Sequence, residues 1–546
     1  MVCPLLVGGL KSFLSDRAKL MRWLACGAVA ALFAWNVAFF YLPGLGFTYL
    51  IQFGQRQHRS YLPELKAVNH YEAPDSVGYD SQYYAQIALR PNPRDPLLSR
   101  AVDGLRYRAR RILFPLAAWS LGGGDPGRVL NVFALENVAC WFLLAALLFR
   151  WLPPVSWGNC ARWAAVLFSF GLIFSVARAL LDGPSLLLVA FGMALVESRR
   201  PWLAAALLGV AGLGKDTNVL GGAAIDPPEF RRPATWAPWL AKMAVVLLPL
   251  AAWTLCLRFW LGRGDDLGDA RNFAPPFAAL AEKLQQSVSQ LVAEGYPSVA
   301  KFDLLVMAGL LAQFFFFVSR HRWSEPWWRL GASYAVLMVF LGTAVWENYP
   351  SAAARVLLPM TLAFNITVPR RGWWPLLLVF GNLGILGSPD IFKPPGRESY
   401  VVEGPNALRI NPRDGSAVEA IYGPRNWWRP EKSRWEFWRW SLGDATVAVR
   451  NPQPFTLVAD IRFRLRSVDE REAVVALGER VLWRGMLPAG EVVRVRLADI
   501  ALAPGDTVLR FRSDRPAAYP GNSDPRRLSF SLRAFEIDVE RRQPGP

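Results

Sequence analysis

Apolar stretches of close to twenty residues recur from Trp23 to Ser388, and they constrain this chain more than any other feature. Trp23 to Leu42, for example, is apolar apart from Asn36. About 20 such residues, coiled as helix, cross a hydrocarbon layer of ~30 Å. A soluble domain has no use for so many. At 53% hydrophobic and 19% charged, with 24 tryptophans in 546 residues, the chain is too apolar and too long for one soluble core and fits a multi-span membrane protein. The first stretch exceeds a signal-peptide core, and YLPGLGFTYL follows it without a small-x-small cleavage site, so it reads as a retained helix.

The formal charge of +18 raises the question of nucleic acid, and the positions of the basic residues answer it. Lys11/Arg17/Lys19/Arg22, Arg150/Arg162, Arg199/Arg200, Arg231/Arg232, Arg320/Arg322/Arg329 and Arg370/Arg371 lie in short connections or near a chain end, the pattern of the positive-inside rule. About eleven helices are predicted, over 23–42, 128–149, 162–177, 182–197, 201–214, 215–230, 236–261, 300–319, 327–346, 352–368 and 372–388. With the amino terminus cytoplasmic, each basic cluster falls inside. The loop 43–127 and the tail after Ser388 then fall outside, which in a bacterial inner membrane is the periplasm. The segments 201–214 and 215–230 are short and glycine-rich, and a re-entrant pair stays open there. Arg106 to Gly124 carries an arginine run and too short an apolar part to span, so an interfacial helix is expected.

From about residue 393 the composition changes. FTLVADIRFRLRSV, EVVRVRLADI and RLSFSLRAFEIDV alternate with period two between turn signals such as NPQP and APGD, which predicts an antiparallel β-sandwich over 393–546. The expected architecture is thus a polytopic α-helical membrane domain, 1–392, followed by an all-β domain. Five cysteines, Cys3, Cys26, Cys140, Cys160 and Cys256, all precede that domain without a CxxC pair. Neither a disulfide framework nor a thiolate metal site is indicated.

Ionisable groups at apolar spans cost about 2.5–3.5 kcal/mol each on insertion scales, so they pair or line cavities. Here they gather on the outer side of the predicted topology: Asp80, Arg108, Arg110, Arg111, Arg178, Asp182, Lys215, Asp216, Glu347 and Arg355. Asp80 sits in VGYDSQYYAQIALRP among Tyr79, Gln82, Tyr83 and Tyr84. Arginine forks and a lysine suit a phosphate, carboxylates suit hydroxyls or a proton, and aromatic rings suit sugar faces. Glycosyl transfer from a polyprenyl-phosphate sugar is the chemistry such a cup permits, one carboxylate acting as base in a single inverting displacement.

The ordered set YDSQYYAQIA, YRARRILFPLAAW, LLDGPSLLL, LGKDTNVL and ENYPSAAARVLLP resembles bacterial membrane glycosyltransferases of the GT-C superfamily from Trp23 to Ser388, and the tail is similar to β-sandwich tails on some of them. The resemblance implies Asp80 as catalytic base, with Lys215 and Arg355 toward the carrier phosphate and Asp182, Asp216 and Glu347 shaping the site. It also implies a polyprenyl-phosphate-linked donor, a glycan or lipid acceptor, and no nucleic acid. Ser81 stands where the family pattern has glycine, and Lys215-Asp216-Thr217 where Lys-Glu-Thr is usual.

Each group also has a structural reading. Asp80 can cap a helix starting at Ser81, and Asp182 can cap another; Lys215 and Arg355 can snorkel or brace helices against Asp216 and Glu347. No metal is implied, although a divalent cation at Asp80 stays open. Asp265, Asp266 and Asp269 read as a solvated turn rather than a calcium loop, and His58, His70 and His321 lack metal-ligand spacing. GKDTN lacks the preceding GxxxxG of a phosphate loop. RNWWRPEKSRWEFWRW, Arg425 to Trp440, reads as a docking surface before a glycan platform. A lipid-linked glycan transporter or flippase and a non-catalytic glycan-binding envelope protein are the alternatives to an enzyme.

Overall fold

The computed structural model describes residues 4–42, 45–73, 76–229, 231–262, 270–293, 298–347, 351–394, 418–423, 426–432, 437–451, 456–520, 524 and 526–541. Asp265, Asp266 and Asp269 lie outside the described residues, as do Arg425 and 433–436 of the Trp/Arg stretch. Two compact units result: Met1–Ala38 with Asp80–Lys393, and Phe39–Tyr79 with Pro394–Pro546.

The first unit is helical. Among the described residues five helical segments are long and apolar enough to cross a membrane: Arg17–Ala38, Pro126–Leu148, Pro233–Leu261, Ala300–Ser319 and Trp374–Ile391. A sixth follows if Trp157–Leu167 and Phe170–Ala177, bent by 46° at their junction, count as one broken span. Leu240, Leu247, Leu248, Leu255 and Phe259 of the third are exposed, a surface that water would penalise and acyl chains accept. The chain is a multi-pass membrane protein. Other predicted spans form as shorter helices, including Asp182–Glu197, Pro201–Gly214, Pro326–Phe340 and Leu358–Thr367.

One predicted helix is absent. In place of the predicted 215–230 span, the chain makes a nine-residue 3₁₀ helix, Asp216–Ala224, and is non-helical over 225–229. Lys215 is extended, and the Asn218 amide donates to the Ala211 carbonyl at 3.0 Å, closing the preceding helix. Apolar composition had suggested a span, but local side-chain bonding and the Pro227-Pro228 pair end it. Arg106–Gly124 forms Leu105–Ala109 and Leu113–Leu121, both too short to span.

Two arginines of the basic clusters do more than bias topology. Arg162 is buried and donates to the carbonyls of Asn365, Val368 and Pro369 at 2.7–3.2 Å, capping the end of Leu358–Thr367. Arg329 is buried likewise, on the carbonyls of Ala223, Ala224 and Trp323 and on Asp226. Each satisfies orphan carbonyls that apolar surroundings would otherwise strand.

In the second unit, β1 (Phe53–Gly54) and β2 (Glu72–Ala73) pair in parallel. The buried Glu72 carboxylate accepts from His58 Nδ1 at 2.7 Å and His70 Nε2 at 2.9 Å. Ten further strands follow: β3 (Glu419–Tyr422), β4 (Glu431–Lys432), β5 (Phe437–Trp440), β6 (Ala445–Asn451), β7 (Leu457–Ser467), β8 (Arg471–Leu477), β9 (Arg480–Leu487), β10 (Val492–Leu502), β11 (Gly505–Ser513) and β12 (Phe530–Arg541). They make two five-stranded antiparallel sheets, β10-β7-β12-β5-β4 and β3-β6-β11-β8-β9. Alternation decides which residues turn inward: Leu457, Ala459, Ile461, Phe463 and Leu465 of β7 join Val447, Val475, Leu509 and Phe511 of the other sheet in one core. Asp460, Arg462, Arg464 and Arg466 face out.

Candidate active site

The first unit collects charged side chains from five separated segments. Asp80 occupies the position just before helix Ser81–Leu89, but its side chain caps no amide there. Its carboxylate takes a 2.9 Å hydrogen bond from Arg108 Nη2. The same guanidinium donates to Asp103, Nε to Oδ1 at 3.0 Å and Nη2 to Oδ2 at 3.2 Å, so one arginine holds two carboxylates. Tyr83, Tyr84 and Tyr107 ring it, their centroids 5.1–5.6 Å from its central carbon. Gly104, at φ +54°, reverses the chain between Asp103 and the short helix carrying Arg108, a conformation that glycine adopts without strain.

Burial opposes ionisation of Asp80, but the guanidiniums of Arg108 and Arg355, with Arg111 behind them, outweigh it and hold the carboxyl below the ordinary aspartate range. Asp80 is therefore an anion at neutral pH.

Beside it, Asp216 receives Arg110 at 2.9 Å and Arg111 at 3.5 Å. Arg111 also donates to the Tyr84 hydroxyl at 2.6 Å and the Tyr107 hydroxyl at 3.0 Å. The break after Gly214 supplies both Lys215 and Asp216. Lys215 pairs with Asp182, whose other oxygen takes Arg355 Nη1 at 2.9 Å. Arg355 reaches this point because Gly171 lets the helix Phe170–Ala177 press against the segment Ser351–Val356; a Cβ there would stand 2.4 Å from the Ala354 carbonyl oxygen. The guanidiniums of Arg355 and Arg178 both lie on the Phe174 ring, at 5.6 and 5.9 Å from its centroid. After Arg178 the chain passes through Ala179 at φ +42°, a left-handed conformation that costs a non-glycine residue of order 1 kcal/mol or more.

Exposure separates the carboxylates. The side chains of Asp80 and Asp103 are 42% and 52% exposed, whereas that of Asp182 is 7% exposed. Asp80 and Asp103 are the most open to a ligand, ahead of Asp216 at 22%. Arg108, Arg110, Arg111, Lys215 and Arg355, with Arg178 beside Arg355 on the Phe174 ring, stand against Asp80, Asp103, Asp182 and Asp216, leaving an excess of two positive charges. Such a site favours a singly or doubly charged anion.

Of the predicted site residues, Asp80, Arg108, Arg110, Arg111, Asp182, Lys215, Asp216 and Arg355 join this network, with Tyr83 and Tyr84 around Arg108. Gln82 is buried. Glu347 stands apart, paired with Arg271 at 3.2 Å, and Tyr79 belongs to the second unit. Asp103, Tyr107 and Phe174 escaped the sequence reading. The run AVDGLRYRARR held a signal for the first two, an acid followed by glycine just upstream of the arginines. Among the described residues no group of three or more His, Cys, Asp or Glu is arranged to hold a metal ion.

No family model matches the chain, and no curated protein sequence matches it. Among solved structures it is similar to the cryo-EM structure of arabinosyltransferase EmbB from Mycobacterium smegmatis, at 10% identity and a TM-score of 0.25. That superposition covers 94% of this chain and 64% of the other, so the chain spans less than two thirds of its neighbour's length. A likeness this slight settles neither family nor activity, and the functional reading rests on the site itself.

Proposed function

We propose that this protein is a membrane glycosyltransferase of the GT-C type, which moves a sugar from a polyprenyl-phosphate carrier to a glycan or lipid acceptor on the periplasmic side with inversion. The open, ionised carboxylate of Asp80, set beside an excess of cations, carries the reading. The acceptor hydroxyl loses its proton to Asp80 as its oxygen bonds the anomeric carbon. The bond from that carbon to the carrier phosphate breaks, and polyprenyl phosphate departs with the electron pair. One base and one displacement invert the centre.

The leaving phosphate gains charge as the bond breaks, and cations placed there favour the transition state over the bound donor. Arg355 and Arg178, sharing the Phe174 ring, are proposed for that task. Lys215, sealed against Asp182, holds Arg355 in place by satisfying the other carboxylate oxygen. Arg108 orients Asp80.

Purified protein in lipid nanodiscs, presented with a panel of polyprenyl-phosphate sugars, tests this. The native chain should release carrier phosphate with at least one donor, and Asp80→Asn should bind that donor with unchanged affinity while turnover falls by about 10²–10⁴-fold. Full turnover in Asp80→Asn would remove the aspartate from the chemistry. Donor-independent behaviour of the whole panel would remove the reaction class.

A further inference from the structure

No crossing is predicted between residues 261 and 300, yet the helix Ala278–Ala293 folds back against the span Ala300–Ser319 that follows it. The chain enters this helix through Phe277, whose φ of +59° is a conformation that a bulky residue avoids. Backbone bonds hold the entry in place: the Ala274 amide donates to the Phe340 carbonyl at 3.0 Å, that of Phe277 to Val339 at 2.8 Å, and that of Gly342 to Asn272 at 2.8 Å. The Phe277 ring stands edge-on to Phe314, 5.4 Å between centroids. Further along, Lys283 and Asp303 form a sealed ion pair at 2.7 Å. A first contact at position 314 and a later one at 303 mean that the helix runs antiparallel to the span. It starts beside the interior of the apolar layer and climbs toward its edge. At 16 residues it is too short to cross.

Three sides of this helix meet three surroundings. Ala279, Leu280, Lys283 and Ser287 are buried against the bundle. Leu284, Val288 and Val292, spaced four apart, form an apolar stripe that is exposed among the described residues. Glu282, Gln286 and Ser289 are exposed as well, and at 3.6 residues per turn they fall about a third of a turn from the stripe. A helix surrounded by water has no need of the stripe. One surrounded by acyl chains could not keep Glu282, because a carboxylate in hydrocarbon is costly.

We propose that Ala278–Ala293 is a half-span that walls bilayer from water: Leu284, Val288 and Val292 lie on acyl chains, while Glu282, Gln286 and Ser289 face water in a recess of the bundle. The occupant of the stripe is lipid because the helix is fastened along a membrane span, which itself presents Phe315 and Val318 outward. The stripe extends that lipid-facing surface sideways. The leaflet is the one on the side of Arg355. Helix Pro326–Phe340, whose last carbonyls hold the entry at Ala274 and Phe277, leads on through Thr343–Trp346 to Ser351–Val356, which carries that arginine. Polar groups at membrane depth are tolerated where they border a water-filled cavity. The wall is independent of sugar transfer and stands whether or not Asp80 is a base.

Nitroxide labels on single cysteines, introduced into an otherwise cysteine-free full chain in phosphatidylcholine nanodiscs, provide the test. Collisions with oxygen, which concentrates among acyl chains, are compared with collisions with a water-soluble nickel chelate. The oxygen-to-nickel ratio should be at least about fivefold higher for Leu284→Cys and Val288→Cys than for Glu282→Cys, Gln286→Cys and Ser289→Cys. All five side chains are exposed, so the substitutions spare the packing. Equal nickel access at all five would place the helix in water, and equal shielding from nickel at all five would sink it entirely among acyl chains; either result overturns the wall. Labels at 284 and 288 that neither reagent reaches would mean that protein, a second copy included, covers the stripe, and would overturn it too.

Discussion

Two carboxylate clusters within the helical unit are built from the same residue types and put to opposite uses. At Asp182 the anion is enclosed by Lys215 and Arg355, and almost no carboxylate surface remains open. At Asp80 and Asp103 a single arginine serves two anions, and both stay half-exposed. A buried pair or triad earns little net stability, because desolvation cancels most of the attraction, yet removing one member strands the others. An exposed, under-partnered carboxylate costs little to keep and remains available to a ligand. The contrast suits Asp182 to bracing and, on the proposed function, Asp80 to chemistry.

Paired variants can break that contrast. Asp80→Asn should abolish most transfer while leaving the melting transition within about 1 kcal/mol of native, as surface substitutions do. Asp182→Ala should do the reverse first: it strands two cations in the bundle and should destabilise the unit by about 3–5 kcal/mol, read as loss of the folded fraction on denaturant titration in detergent. Should Asp182→Ala fold normally and lose only turnover, the assignments would have to be exchanged.

Arg178 sharpens the phosphate side of the comparison. It shares the Phe174 ring with Arg355 but, among the described residues, pairs with no carboxylate. Arg178→Gln should therefore leave stability intact and weaken donor binding by roughly 1.5–3 kcal/mol, the usual worth of a hydrogen bond to a charged group, seen as a raised KM for the donor with a smaller fall in kcat. An unchanged KM would take Arg178 out of the site.

How much of this was legible beforehand depended on distance along the chain. Asp80 stood out because its aromatic and amide neighbours are adjacent in sequence. Strands β7, β10 and β12 were legible because period-two alternation is local, but the order that places β7 between β10 and β12 was not. The sealing of Lys215 by Asp182 joins positions 33 apart, and the placing of Arg355 depends on one glycine, Gly171, whose importance appears only when two backbones touch. The segment 215–230 misled because apolar, glycine-rich composition suits a 3₁₀ turn inside a bundle as well as it suits a span. Arg162 and Arg329 fit the positive-inside pattern because a buried arginine capping carbonyls has the same sequence signature as one facing headgroups.

A pH profile tests the origin of the open carboxylate's charge. Asp80 is held below the ordinary aspartate value by its guanidinium neighbours, so the base form persists as pH falls past about 3.9, the unperturbed value, and the acid limb of kcat/KM should lie lower than that. Arg108→Met removes the nearest cation and should move the limb upward toward ordinary aspartate, with activity at neutral pH reduced by the loss of orientation as well. An unmoved limb would mean that another group controls it.

The smallest effect concerns a sealed carboxylate in the other unit. Burial raises the Glu72 carboxyl's tendency to stay protonated, but hydrogen bonds from His70 and His58 outweigh this and lower its pKa. A carboxyl whose folded value is depressed contributes stability that is fully present above its unfolded value, about 4.3, and is lost as pH falls through the folded one. Local hydrogen exchange at Phe53–Gly54 and Glu72–Ala73 should therefore accelerate below about pH 4 in the native chain. In Glu72→Gln, which keeps the shape but cannot ionise, exchange should be faster at neutral pH and lose that dependence; a native-like profile in the variant would show that the two histidines, and not the carboxylate, hold the ladder.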